Sequence, residues 1–147
     1  MKVFTIGFTQ KHAEEFYEKI NKANIDLLID VRLNNTSQLA SFSKFPDIVY
    51  FLDKLCSSKY CHDEKLAPTD ALLKGYKKGD VTWSEYENVF AKIMEERKIN
   101  NHIQNKYSNY KDLNVCLLCS EPTPEKCHRR LVAEYFKDVF DAEIIHI

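Results

Sequence analysis

Two near-continuous apolar segments near the start of the chain limit the folds that it can adopt. They are residues 3–7 (VFTIG) and 25–31 (IDLLIDV). Strands without a regular polar alternation are covered on both faces, as in parallel sheets. Between them Phe16 and Ile20 recur at helical spacing, and Asn24 stands where a helix ends with a residue at positive φ. The pattern predicts a βαβ unit whose two strands are parallel neighbours.

The rest of the chain repeats this alternation of strands and helices. Residues 97–114 are polar and rich in asparagine, so we expect a loop, or a helix that buries little surface, and no chemistry from it. The order of elements predicts a single doubly wound α/β domain over residues 1–147, with a mainly parallel sheet of about five strands and helices on both faces. The further predicted strands are residues 59–62, 115–119 and 143–147, and the further helices are residues 47–55, 82–94 (opened by the capping box Thr82-Trp83-Ser84-Glu85) and 124–137.

Charge, hydropathy and cysteine content argue against a strongly basic nucleic-acid-binding protein, a membrane protein and a disulfide-bonded secreted protein. The 21 basic and 22 acidic residues nearly cancel, so the overall charge does not favour nucleic acid as a partner, although a local basic patch can still bind it. No apolar run has the length of a membrane span or signal peptide. We therefore expect a cytoplasmic protein with five reduced thiols and no membrane partner, and the sequence leaves its oligomeric state open.

The densest cluster of reactive side chains is residues 119–129 (CSEPTPEKCHR). It follows an apolar run and precedes an amphipathic one, so it predicts a strand, a turn and a helix with Thr123 as N-cap. Ligands gather at such junctions in parallel α/β domains. On an ideal helical wheel His128 lies roughly 30° from the centre of the apolar stripe, Arg129 roughly 70° and Cys127 roughly 130°.

Polar side chains also end the other predicted strands, because Asp30 and Arg32 close the second strand and His62 closes the third. The C-terminal ends of parallel strands share one edge, so we expect this group to meet Glu121 and His128 across a cleft. Two structural alternatives stay open. The charged residues can form a salt-bridge network that fastens strand ends to a helix, and His128 can be a satisfied core histidine.

The cysteines offer a metal site or a nucleophile. Cys116-x2-Cys119 followed by Cys127-His128 resembles zinc-ligand spacing. Side chains three residues apart in one strand project to opposite faces, so we expect no metal. A thiol near a helix N-terminus with basic neighbours loses its proton readily, which makes Cys119 or Cys127 a candidate nucleophile. Cys56, Cys61 and Cys116 are expected to be buried fillers.

The chain has no glycine-rich phosphate loop among its three glycines. A bound anion would therefore be held by Arg32, Arg129 and the amides at a helix end. Gly7, directly after the first strand, would let a ligand or another backbone segment come close. No cofactor is expected.

Several short motifs follow one another from residue 5 to the C-terminal part of the chain. Together they resemble the bacterial and archaeal domain-of-unknown-function 488 family. The chain departs from the family pattern at Phe8, where histidine is frequent, and at Asn24, where glycine is frequent. The resemblance implies an α/β fold and no established reaction. The motifs are Thr5-Ile6-Gly7-Phe8-Thr9, Asp30-Val31-Arg32, Leu66-Ala67-Pro68-Thr69, Leu72-Leu73-Lys74-x-Tyr76-Lys77-Lys78-Gly79, Trp83-x-Glu85-Tyr86, Leu118-Cys119-x-Glu121 and Cys127-His128-Arg129, and the implied polar centre comprises Asp30, Arg32, Glu121, Cys127, His128 and Arg129.

Two functions fit these features. The first is an enzyme, a hydrolase or transferase, acting on an anionic, phosphorylated or nucleotide-like substrate, with His128 or Asp30 as acid or base and Glu121 orienting it. The second is a non-catalytic module that binds a small anion, a nucleotide or a nucleic-acid end through Trp83, Tyr76 and Lys77-Lys78. The catalytic candidates are Asp30, Glu121, His128, Cys127 and Cys119, and the substrate-binding candidates are Gly7, Arg32, His62 and Arg129.

Overall fold

In the computed structural model, which describes residues 1–147 except for the side chains of residues 38–40, five parallel strands form one sheet. Helices cover both faces of this sheet, which confirms the predicted α/β fold. The strands are β1 (Lys2–Gly7), β2 (Leu27–Asp30), β3 (Lys59–His62), β4 (Asn114–Cys119) and β5 (Glu143–His146), and the helices are α1 (Ala13–Lys22), α2 (Asp47–Phe51, continued by a π-helical turn Leu52–Cys56), α3 (Asp70–Lys77), α4 (Trp83–Glu96), α5 (Ile99–Tyr107) and α6 (His128–Phe140).

The order of strands across the sheet is β3-β2-β4-β1-β5. The expectation that β1 and β2 are neighbours is therefore wrong, because β4 lies between them. An apolar run predicts that a strand is buried but not which partner it pairs with, and here the pairing joins segments about 90 residues apart. The register sets Gly7 opposite Cys119, and Asp30 opposite both Leu118 and His62.

The two faces of the sheet carry separate apolar layers. α1 and α2 pack on the face that includes Leu28 and Cys116, whereas α3 to α6 pack on the face that includes Ile29 and Cys119. The chain that follows β2 thus covers one face, and the chain that follows the neighbouring β4 covers the other. Where the connections after two neighbouring strands leave to opposite faces of the sheet, a crevice forms at the C-terminal ends of those strands.

The structure differs from two predictions, the start of the last helix and the burial of residues 97–114. α6 begins at His128 with Cys127 as its N-cap, so the predicted start at Thr123 and Pro124 is wrong. Residues 120–127 instead form a loop whose position is set by contacts with β1 and α6 rather than by local capping signals. Residues 97–114 contain α5, which buries Ile99, Ile103 and Tyr107, so the prediction of little buried surface there is also wrong.

Other local predictions are confirmed. The capping box of α4 is present, with Thr82 and Glu85 each accepting a hydrogen bond from the other's backbone amide. Asn24 has φ of 48°, as expected for the residue that closes α1. No described helix is long and apolar enough to cross a membrane.

Candidate functional site

A cavity of about 120 Å³ lies at the C-terminal ends of β2 and β4, where the chain leaves these two strands toward opposite faces of the sheet. Its floor is formed by Cys119, Cys127 and His128. Its wall is largely aromatic and apolar, and its rim carries three cationic side chains. The wall residues are Pro68, Leu73, Tyr76, Trp83 and Tyr86, and the cationic residues are Arg32, Lys77 and Lys126.

His128 is fixed in one tautomer by the backbone of β2. Its Nε2 lies 2.7 Å from the carbonyl oxygen of Val31. A carbonyl oxygen only accepts hydrogen bonds, so Nε2 carries a proton and donates it. In the neutral ring Nδ1 is then an acceptor, and it lies 3.5 Å from the Sγ atom of Cys119. The same sulfur is 3.7 Å from Nε2, so it lies against the ring, and a turn of the imidazole would be needed for Nδ1 to take the thiol proton.

A row of rings along α4 supports His128 from the cavity side. Trp83 stacks on Tyr86 at 4.9 Å, and Tyr86 stacks on Phe90 at 6.0 Å. Phe90 in turn lies 5.9 Å from the imidazole. Residues three and four apart share one face of a helix, which is why these α4 side chains align. The row links the cavity wall to the ring that faces Cys119.

Cys119 and Cys127 form a coupled pair of buried thiols. Burial alone would raise the pKa of Cys119, but the thiol of Cys127, the amide of Ser120 and the charge of Arg129 outweigh it and lower that pKa. The contact with Cys119, together with burial, raises the pKa of Cys127 well above its usual range. Cys119 is therefore the first of the two to become a thiolate, the reactive form of cysteine.

Arg129 holds the loop above β1 rather than lining the cavity. It is 1% exposed, its Nη1 donates to the carbonyl oxygen of Glu121 at 2.6 Å, and its Nε has no hydrogen-bond partner. Among the described residues no carboxylate lies within 4 Å of its guanidinium. Such a buried cation favours a nearby anion, and Cys119 can supply it as a thiolate.

Gly7 is explained by this loop. A Cβ atom at Gly7 would overlap the backbone carbonyl of Glu121 and would lie 3.1 Å from Nη1 of Arg129. The close approach noted from the sequence is thus made by another backbone segment. Gly7 does not line the cavity.

Asp30 and Arg32 lie at the same edge but on the opposite face of β2. Nε and Nη2 of Arg32 donate to the two carboxylate oxygens of Asp30 at 2.8 and 2.7 Å. Ser43 accepts further bonds from Arg32, and Tyr60 donates to Asp30 at 2.8 Å. Asp30 has no exposed surface and does not line the cavity. This pair matches the salt-bridge alternative, although one edge of Arg32 still borders the cavity.

The remaining predicted residues have mainly backbone partners. His62 donates from Nε2 to the carbonyl oxygen of Arg32 at 2.7 Å, and it does not line the cavity. The side chain of Glu121 is exposed at the cavity mouth. The expectation that Glu121 orients His128 is wrong, because the Val31 carbonyl does so. A backbone partner gives no sequence signal, and neither does the placement of Lys126 on the rim.

Cys119, Cys127 and His128 also offer three potential metal-ligand atoms within 4.8 Å of one another. In a tetrahedral zinc site the sulfur lies about 3.5 Å from the liganding ring nitrogen and more than about 5 Å from the other. Here Sγ of Cys119 is 3.5 and 3.7 Å from the two nitrogens. The sulfur thus lies against the ring, and the imidazole would have to turn before these groups shared an ion. Cys116 points to the other face, as expected.

Comparison with known families places most of this chain in one of them. The model of the family described as "Domain of unknown function DUF488" matches residues 12–136, well over half of the chain. Neither a curated protein nor a solved structure shows a significant match. The matched region contains the cavity floor, its aromatic wall and its cationic rim. This chain belongs to the DUF488 family.

Proposed function

We propose that this protein is an enzyme, a hydrolase or transferase, that acts on a phosphorylated or nucleotide-like small molecule in the cavity. The observation that carries the proposal is the position of Cys119. Its thiol lies on the floor of a cavity, against an imidazole of fixed tautomer, below a cationic rim. Nucleophile, base and anion-binding groups in one cleft are the parts that group transfer needs.

The cavity suits a ligand with a ring and a negative charge. Trp83 and Tyr76 supply flat surfaces for stacking, and Lys77 and Lys126 supply positive charge at the mouth. Arg32 is already paired with Asp30, so it adds to the field at the rim more than it clamps a ligand. At about 120 Å³ the cavity is below the usual range of ligand pockets, so it encloses one ring or phosphate group of such a molecule and leaves the remainder at the mouth.

The proposed reaction uses two residues of the cavity floor, Cys119 as nucleophile and His128 as base. Once the imidazole turns so that Nδ1 points at the thiol, Nδ1 of His128 accepts the proton of Cys119, and the thiolate attacks the electrophilic centre of the substrate. The bond to the leaving group breaks as the Cys119 sulfur bonds the transferred group, and the imidazolium returns its proton to the leaving group. Water or a second substrate then takes the transferred group and frees the thiol. Asp30 and Arg32 act as positioning residues, since they fix the backbone that holds His128.

Binding can be measured without knowing the reaction, because Trp83 is the only tryptophan of the chain. Its fluorescence should change when nucleoside 5′-monophosphates are titrated, and much less with the matching nucleosides. The double variant Lys77→Ala/Lys126→Ala should weaken nucleotide binding several-fold. Lys78→Ala is the matched control, since Lys78 is exposed beside Lys77 but outside the cavity. Nucleosides that bind as tightly as nucleotides would contradict the role of the rim.

Turnover is the second test. Phosphorus NMR of the protein with nucleoside mono-, di- and triphosphates should show conversion of at least one of them. Cys119→Ser should abolish that conversion while leaving the Trp83 binding signal in place. Binding without conversion of any of these compounds would instead favour the non-catalytic module.

A further inference from the structure

We infer that Cys119 and Cys127 form a redox pair, in which a hydroperoxide that enters the cavity oxidises Cys119 and Cys127 then closes a disulfide. The disulfide itself stands on the geometry of the two thiols. Only its consequence, a reversible loss of activity, rests on the function proposed above. Cys127 thereby acquires a role that nucleophilic attack by Cys119 does not require.

The first support is the placement of the two sulfurs. Both thiols are free, both form the cavity floor, and their sulfur atoms lie within 4.8 Å of each other. One is the last residue of β4 and the other is the N-cap of α6, so the seven-residue loop 120–126 joins two regular elements that already hold the thiols side by side. Formation of a bond of about 2 Å needs only a local approach of the side chains.

The second support is the difference between the two thiols. Cys119 has the lowered pKa of the pair, so it is the thiol that ionises first, and thiolates are the form that attacks peroxides. Cys127 keeps its proton and faces Cys119. This is the arrangement of an attacking thiol beside a resolving thiol.

The chemistry balances in two steps. The Cys119 thiolate attacks the terminal oxygen of the hydroperoxide, the O–O bond breaks, and the sulfur loses two electrons to become a sulfenic acid. The alkoxide or hydroxide leaves as an alcohol or water with the proton that Cys119 released when it ionised. The Cys127 sulfur then attacks the Cys119 sulfur, the S–O bond breaks, and the hydroxide leaves as water with the Cys127 proton. An external dithiol reverses the change by thiol–disulfide exchange.

The other cysteines make the inference selective. Cys116 lies on the opposite face of the sheet, and burial raises its pKa well above the usual range. Cys56 has its thiol against the carbonyl oxygen of Tyr17, and burial raises its pKa. Cys61 lies 3.9 Å from the hydroxyl of Tyr107, away from the cavity. A peroxide in the cavity should reach only the floor pair.

The test uses the full chain, reduced and treated with a chelator, and then exposed to near-equimolar hydrogen peroxide without substrate. Remaining thiols are blocked with N-ethylmaleimide, and peptides are analysed by mass spectrometry. We expect a cross-linked pair of peptides containing Cys119 and Cys127, about 2 Da lighter than the two thiols, with the other three cysteines alkylated. Dithiothreitol should restore all five thiols.

Two variants sharpen the result. Cys127→Ser, treated with excess peroxide because the sulfinic acid consumes two equivalents, should carry Cys119 as the sulfinic acid, about 32 Da heavier, with no cross-link. Cys116→Ser, the matched control in the same strand, should form the cross-link as the wild type does. A wild-type protein that forms a different disulfide, or that accumulates Cys119 sulfinic acid although Cys127 is present, would overturn the inference.

The readout separates this inference from the proposed function. A cross-link that forms in a protein without measurable turnover would support the redox pair and count against the enzyme. Turnover that depends on Cys119 but survives peroxide treatment unchanged would do the reverse.

Discussion

Two polar groups lie at the same edge of the sheet and differ in how far their hydrogen bonding is complete. On the α1–α2 face, the carboxylate of Asp30 and the guanidinium of Arg32 hold each other in a bidentate pair, completed by Ser43 and Tyr60. On the opposite face, the described side chains give Cys119 only two partners, the thiol of Cys127 and the ring of His128.

The difference separates a structural group from a reactive one. Buried charges are tolerated when they are paired and hydrogen-bonded, and such a pair gains nothing from a further ligand. A thiolate beside a cavity has unused electron pairs and room for a substrate. The backbone of residues 31 and 32 connects the two groups, because it accepts hydrogen bonds from His128 and from His62.

The largest effect is expected from breaking the ion pair. Asp30→Asn leaves the guanidinium of Arg32 buried without a counter-charge, which should cost about 3–5 kcal/mol of the free energy of unfolding. Urea denaturation measures the loss. Asp53→Asn is the control, because its pair with Lys54 is exposed and should contribute almost nothing. An inactive Asp30→Asn protein of unchanged stability would make Asp30 a catalytic residue after all.

Gly7→Ala should have the next largest effect and lower the free energy of unfolding by about 1–3 kcal/mol, because the added methyl group would collide with the Glu121 backbone. The loop must then move, so the contact of Arg129 with Glu121 should be lost and Cys119 should react more slowly. The control is Gly75→Ala in α3, where the new methyl meets a side-chain methyl of Val81 at 2.9 Å and no backbone atom within 4 Å among its nearest neighbours. Equal stability of the two variants in urea would show that the loop is not held closely against β1.

Tyr60→Phe should lower the free energy of unfolding by at most about 1.5–3 kcal/mol, because it removes one hydroxyl that donates to Asp30 and leaves the ion pair intact. Thermal unfolding compared with Tyr50→Phe provides the measure, since Tyr50 is 62% exposed. Turnover and Cys119 reactivity should be unaffected by Tyr60→Phe. A loss of Cys119 reactivity without a loss of stability would contradict the view that the Asp30–Arg32 pair is structural and separate from the reactive thiol.

The smallest effect, one that depends on pH, concerns another satisfied carboxylate. Burial would raise the pKa of Asp63, but hydrogen bonds from Tyr107, His102 and Lys106 outweigh it and lower that pKa. A lowered folded-state pKa stabilises the protein above the unfolded value of about 3.9, and this stability is lost as pH falls through the folded value. The advantage of the wild type over Asp63→Asn in urea should therefore be present at pH 7 and should shrink below about pH 4. An advantage that grows on acidification would contradict the assignment.

The sequence predicted which residues reach the site's edge but not which face they occupy. The apolar runs before Asp30 and Cys119 identified both as strand ends, and parallel strands bring their ends together. Whether two side chains share a face depends on the register between strands, and a shift of one residue reverses it. That register joins residues 27–30 to residues 115–118, and nothing local encodes it.

Helix α6 and helix α5 show two further limits. Thr123 and Pro124 are sound capping signals, but the helix begins at His128, where Cys127 contacts Cys119 and Arg129 binds the carbonyl oxygen of Glu121. In α5 the buried residues Ile99, Ile103 and Tyr107 recur every four positions, which is helical spacing. That signal was present in the sequence, and the polar composition around it obscured it.

The most direct test of the account is the pH dependence of Cys119 alkylation in the folded protein. Iodoacetamide is added over a range of pH, and the modification of each cysteine is followed by peptide mass spectrometry. We predict that Cys119 reacts with a midpoint below the usual thiol value of about 8.5, that Cys127→Ala raises this midpoint, and that Cys116 stays unmodified. A Cys119 midpoint at or above about 8.5, or a rate no greater than that of Cys116, would contradict the claim that the cavity floor holds a reactive thiolate.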